Sequence, residues 1–159
     1  MSSEAILDVQ CVLDNTSKYM IKEMSVADTN SLSTQHWIFK HSPTTQNAKS
    51  RSVNNWLERN YHQLSLEKGD VEYKELPKIL NSLTFDLIYV KGEQKQKLIE
   101  DIIPHIKVVD IGELGCPRLS QICTNKYFPC CIYHKELNIK QCTFFKVFSL
   151  REWYINNYQ

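Results

Sequence analysis

The stretch PCCIYHKELNIKQCTFFKVF, residues 129 to 148, holds three of the chain's six cysteines and one of its five histidines. Cys131, His134 and Cys142 follow the pattern C-x2-H-x7-C. The i, i+3 spacing of Cys131 and His134 fits one helical turn or a tight loop, either of which aims both side chains at one point. Two thiolates and an imidazole suit Zn²⁺, which takes four such donors in a tetrahedron. The same residues also read as two buried thiols beside a histidine in a polar stretch, since free cysteine packs as a small hydrophobe.

A structural zinc site needs a fourth donor. Glu23 sits in the middle of a strand-like segment, YMIKEMSVA, where alternation puts it on a face with Tyr19, Ile21 and Ala27. An ionised carboxylate in that company needs a partner, and a zinc ion or a lysine supplies one. Cys130, Cys123 and His105 are the other candidates; Cys130 is disfavoured because neighbouring residues rarely point at the same ion.

The elements that must carry these donors follow from periodicity. Residues 5 to 13 (AILDVQCVL), 19 to 27 and 35 to 40 (QHWIFK) read as three strands, the first two joined by the turn cluster Asp14-Asn15-Thr16-Ser17. Residues 51 to 61 form a helix with Val53, Trp56, Leu57 and Tyr61 on one face. A second helix is expected over 71 to 82, short or beginning near Pro77. The apolar run FDLIYVK, residues 85 to 91, suits a strand covered on both faces. A helix over 93 to 103, a strand over 106 to 111 and a helix from about 132 to 157 complete the chain. A three-strand meander followed by alternating helices and strands predicts an α/β fold of the ribonuclease H-like kind: a mixed five-stranded sheet flanked by helices, or another α/β sandwich with the same element list. At 159 residues this is one domain.

A net charge of +1 excludes a nucleic-acid binder held by bulk charge. It leaves room for local basic clusters. Lys40, His41, Lys49 and Arg51 lie near Trp37 and Phe39, and Lys91, Lys95 and Lys97 surround the IYVKGEQK turn. Basic groups beside aromatics hold a phosphate backbone and stack bases, although such clusters are also ordinary solvated surface. Trp56, Tyr61, Phe145 and Trp153 read as core. The opening MSSEAILDVQ lacks a basic and an apolar signal region, and no run is long enough to span a membrane, so an intracellular protein, cytoplasmic or nuclear, is expected.

Glu23 on an early strand with C-x2-H-x7-C near the tail resembles the Maelstrom domain. So do IKEMSV, WIFKHSP, NNWLERNYHQL, IYVKGEQK and LGCPRL. That family has a DEDDh-exonuclease-like fold that has lost its catalytic carboxylates and binds zinc through a Glu-Cys-His-Cys set, here Glu23, Cys131, His134 and Cys142. The resemblance implies an RNA-binding factor of RNA silencing, of the piRNA-pathway kind. Single-stranded RNA and silencing-complex proteins would be its partners, and weak metal-independent endoribonuclease activity is implied too. Maelstrom proteins usually carry an HMG box, for which this length leaves no room, so a stand-alone relative is expected.

Two-metal exonuclease chemistry needs clustered carboxylates that hold two divalent ions about 4 Å apart. Where such an enzyme opens with Asp-x-Glu, this chain has Asp8-Val9-Gln10, and a lysine, Lys97, falls near the place of the next acid. Asp8, Glu23, Glu93 and Asp110 form the alternative acidic set, although Glu93 reads better as a cap of its helix and Asp110 as a cap of the next turn. The competing functions are a non-catalytic protein adaptor and an active metal-dependent 3'-5' exonuclease.

Overall fold

The computed structural model of the chain describes residues 3–122, 128–135 and 137–158. Strands β1 (Glu4–Leu13), β2 (Tyr19–Asp28) and β3 (Thr34–Lys40) form the expected antiparallel meander. Helix α1 (Ala48–Asn60) follows, then a two-residue strand β4 (Val71–Glu72) and α2 (Leu76–Ser82). Next come β5 (Leu87–Val90), α3 (Glu93–Ile102), β6 (Lys107–Asp110) and α4 (Thr143–Tyr158). One mixed sheet results, in the order β4-β3-β2-β1-β5-β6.

The sheet has six strands rather than five. Val71 and Glu72, expected in a helix, instead pair in parallel with Phe39 and Lys40 at the sheet edge. Pro77 explains the late start of α2: it lies in the first turn, where a missing N–H leaves no bond unmade. The last helix is also shorter than its apolar pattern suggested. It begins at Thr143, and the stretch before it is turns and a 3-10 segment, Ile139–Gln141.

Both faces of the sheet are covered, which is why β1 and β5 are apolar almost throughout. Ala5, Leu7 and Val9 pack with Leu76, Leu80, Ile99 and Ile103 of α2 and α3. Ile6, Ala27 and Tyr89 pack on the other side with Val147, Leu150 and Tyr154 of α4. Asp8 and Gln10 belong to this second face by alternation and are buried there. Trp56 and Tyr61 are not core residues: Trp56 is 57% and Tyr61 39% exposed, and α1 buries Ser50 and Asn54 instead. Asn54 holds the end of β1, donating to the Leu13 carbonyl at 2.9 Å and accepting from its amide at 2.7 Å.

A bulge sets the register of the hairpin. Gln10 faces Glu23 and Cys11 faces Ile21, so Lys22 is the extra residue in β2. Its fully buried ammonium donates to the carbonyls of Phe39 (2.7 Å), Leu66 (3.0 Å) and Lys68 (2.5 Å). Desolvation brings this lysine down to about 8. Because of the extra residue, Ile21 turns to the α2–α3 side while Glu23, with Ser25 and Ala27, turns to α4. Glu23 therefore does not share a face with Ile21, contrary to simple alternation.

The loop that receives Lys22 passes very close to β3. A Cβ at Gly69 would sit 2.6 Å from the Ile38 carbonyl oxygen and 2.9 Å from the Lys40 amide nitrogen, both rigid backbone. Gly69→Ala is expected to destabilise the fold by about 2 kcal/mol, within the range for overpacking, read as a lower urea midpoint at unchanged m.

Candidate metal centre

Strand β2 delivers Glu23, and the start of α4 and the turn before it deliver the other donors. The carboxylate is fully buried. Its Oε1 accepts from Gln10 Nε2 at 2.7 Å and from the Thr143 amide at 3.1 Å, the latter an unpaired N–H of the α4 N-terminus. Its Oε2 lies 3.7 Å from Cys131 Sγ, 3.7 Å from Cys142 Sγ and 3.6 Å from His134 Nδ1. Cys131 Sγ and His134 Nδ1 are 3.1 Å apart. Donors bound tetrahedrally to zinc at about 2.0–2.3 Å lie roughly 3.3–3.8 Å from one another. The four side chains named from the sequence are thus brought together at nearly that spacing, from positions more than a hundred residues apart.

His134 is fully buried, not a surface residue of a polar stretch. Its Nε2 meets the His62 carbonyl at 2.6 Å, which makes Nε2 the donor and leaves the Nδ1 lone pair facing the thiols. A ligating imidazole is commonly oriented by such a bond from its other nitrogen.

A second imidazole also enters. His36 of β3 places Nε2 2.7 Å from Glu23 Oε2, and Glu23, His36, Cys131 and Cys142 each offer a ligand atom within 4.8 Å of the others. Sequence reasoning missed His36. Its signal was there: strand alternation and the β2–β3 register put His36 opposite Ser25, on Glu23's face. The two histidines differ in surroundings. His134 is enclosed, close to a thiol, and oriented by a carbonyl; His36 keeps its side chain 14% exposed and contacts the carboxylate oxygen itself. Either histidine could complete a Glu-His-Cys-Cys set with Glu23, Cys131 and Cys142.

The electrostatics favour a cation at this point. Burial raises the Glu23 carboxyl, but the His36 hydrogen bond and the nearby His134 outweigh it and hold Glu23 below the usual range. Of the two thiols, Cys142 is the one pulled down, first by the hydrogen bond from Cys131 and then by the nearby His134, while Cys131 is pushed up by giving that bond and by burial. A buried carboxylate and a readily ionised thiol form a site of negative charge.

The remaining candidates lie elsewhere. Cys130 is partly buried beside the cluster, His105 is exposed, and Cys123 lies outside the described residues. The alternative acidic set is dispersed among separate partners. Asp8 pairs with Lys95 Nζ at 2.5 Å; Glu93 pairs with Lys97 at 3.2 Å on the surface; Asp110 accepts from the amides of Gly92 and Gly112, both at 2.9 Å. Among the described residues, the group around Glu23 alone brings three or more His, Cys, Asp or Glu donors to metal-binding distance.

The seven basic residues named for RNA divide by environment. Lys40, Lys49 and Arg51 are exposed. Lys97 is exposed and ion-paired, and half-buried Lys91 donates to the Cys116 carbonyl at 3.2 Å. Lys95 is committed to Asp8, and His41 is buried with Nε2 on the Ile21 carbonyl at 2.9 Å. These last two do not form a free basic surface.

No family model and no curated protein matches the chain. Among the described residues, no helix is long and apolar enough to cross a membrane.

His41 and His62 supply a pH dependence. Desolvation is the main cause that brings each down to about 4. Both are neutral in the fold near pH 5, whereas an unfolded histidine titrates near 6.5. Between those values the unfolded chain binds more protons, so stability falls as pH drops from about 6.5 to 4, by on the order of 2 kcal/mol per histidine. Urea unfolding across this window reads the loss, and His41→Gln flattens it.

Proposed function

We propose that this chain is a zinc-stabilised, ribonuclease H-like domain of Maelstrom type that binds single-stranded RNA, in the manner of an RNA-silencing factor, without two-metal nuclease chemistry. The meander followed by helix-crossed parallel strands supports the fold reading. The Glu23, Cys131, His134 and Cys142 cluster supports zinc; when bound, the ion would supply a structural clamp between β2 and the start of α4.

One observation carries the functional reading. Asp8, the carboxylate where a DEDDh enzyme would hold its metals, is fully buried and ion-paired with Lys95 from α3. Its neighbour on the same face, Gln10, is neutral and is bonded to Glu23 and to the Gln141 carbonyl. The ion pair neutralises itself and, among the described residues, leaves no free cluster of carboxylates at this end of the sheet to hold Mg²⁺, which supports the reading without two-metal chemistry.

Titration of a fluorescent single-stranded RNA at two salt concentrations tests the reading. Binding that weakens with salt, and no Mg²⁺-stimulated cleavage in either the wild type or Asp8→Ala, is expected. Mg²⁺-dependent cleavage lost in Asp8→Ala establishes the exonuclease instead. A second reading, a protein adaptor, draws on Ile132, 84% exposed, and the neighbouring exposed Leu137 and Ile139. Absence of salt-dependent RNA binding decides for it.

A further inference from the structure

We propose that the cavity between the end of α1, the 3-10 turn Leu119–Gln121 and the start of α4 is a seat for one nucleotide of an RNA strand, with phosphate on Lys146 and Lys140 and the base against Tyr61. This rests on the RNA-binding reading and gives it a place. The cavity measures about 340 Å³, enough for a mononucleotide, and among the described residues its lining includes Tyr61, Ser120, Lys140, Gln141, Lys146 and Ser149 and no carboxylate.

Lys146 is the deciding group. It is 6% exposed, yet among the described residues no carboxylate lies within ion-pair reach. Its ammonium has only neutral company: Gln141 Oε1 at 3.2 Å and the Tyr61 ring, whose centroid is 5.6 Å away. A cation taken this far out of water without an anion is costly, and a bound phosphate would remove the cost. Lys140, exposed at the rim, adds a second ammonium, and Tyr61, the residue mistaken for core, offers a partly exposed ring.

The position agrees with the topology. Gln141 also accepts from Gln10 through its carbonyl, which places the cavity beside the carboxyl-terminal half of β1, where open α/β sheets take ligands. A second cavity of about 620 Å³ shares Tyr61 and is lined also by Gln10, Lys18, Tyr19, Tyr73 and Asp101. Its aromatic rings are surfaces on which the next bases of a single strand could stack.

The test titrates AMP, followed by thermal shift, and a labelled single-stranded RNA, followed by anisotropy. Wild type is compared with Lys146→Met, Lys140→Ala and Tyr61→Leu, each checked for folding by circular dichroism. AMP is expected to raise the melting temperature of the wild type and not of Lys146→Met. RNA affinity is expected to fall about tenfold in Tyr61→Leu, as for loss of one stacked base. Should Lys146→Met not fold, the two exposed positions carry the test. No AMP shift in the wild type, or RNA affinity unchanged in every folded variant, overturns the proposal. In the second case RNA binding itself stands. AMP binding that depends on Lys146 with no RNA binding keeps the seat and refutes the RNA reading.

Discussion

Purified Cys142→Ala protein is expected to contain almost no zinc, against about one equivalent in the wild type, and to melt at least roughly 10 °C lower. The size of the effect follows from what surrounds Cys142. Its sulfur is fully buried, lies 3.7 Å from Glu23 Oε2 and accepts from the Cys131 amide at 3.2 Å. Removing it takes away a ligand and leaves Glu23 buried beside a void. Zinc held there would close a loop of more than a hundred residues between Glu23 and Cys131, and its binding free energy would be folding free energy, so several kcal/mol would go with the metal. Chelation of the wild type should reproduce the drop. The histidines then separate. His134→Ala should release zinc as Cys142→Ala does. His36→Ala should keep the metal but weaken it by about 10–100-fold, the usual effect of losing a group that orients a ligand. The opposite pattern would exchange their roles. Equal zinc content in the wild type and Cys142→Ala would falsify the metal centre altogether.

Lys95→Met should be nearly as damaging without any metal being involved. Asp8 is fully buried, and its Oδ2 finds no hydrogen-bond partner among the described residues. Lys95 is thus its whole compensation, at 2.5 Å from Oδ1. Removing one partner of a buried pair leaves an isolated charge and costs about 3–5 kcal/mol. For a domain of this size that is a fall of about 6–20 °C in melting temperature. The double variant Asp8→Asn with Lys95→Met should recover most of it, because neutralising the carboxyl removes the charge that made the single variant costly. A double-mutant cycle with no coupling between the two positions would show that the pair does not bear on stability.

The two experiments bear on different claims. Zinc content probes the proposed clamp between β2 and α4; the Asp8–Lys95 cycle probes the ion pair on which the proposal of no two-metal chemistry rests. A protein that loses zinc in Cys142→Ala yet shows no Asp8–Lys95 coupling would keep the structural site and lose the reason given for absent nuclease chemistry.

Much of this molecule is written locally. The apolar alternation of AILDVQCVL and the unbroken run in FDLIYVK are satisfied only by strands buried on both faces, and Pro77 marks where α2 can begin. C-x2-H-x7-C already names three soft donors, and Glu23 stands out as a carboxylate in an apolar strand. Periodicity failed where a contact with a distant segment outweighed it. Val71 and Glu72 became a strand because β3 had a free edge, and the described residues 131–135 and 137–142 stayed turns and a 3-10 segment while bringing Cys131, His134 and Cys142 to Glu23.

Tertiary structure alone decided the finer chemistry. Glu23 reaches the thiols because Lys22 is squeezed out of register to meet three carbonyls, an event that strand alternation does not encode. The pairing of Lys95 with Asp8, the entry of His36 and the placing of Lys146 beside Tyr61 likewise depend on segments far apart in sequence. The reason is physical. A residue's type and its neighbours along the chain set which face it prefers, whereas the partner across that face is selected by register and helix packing, which exist only once the chain has closed.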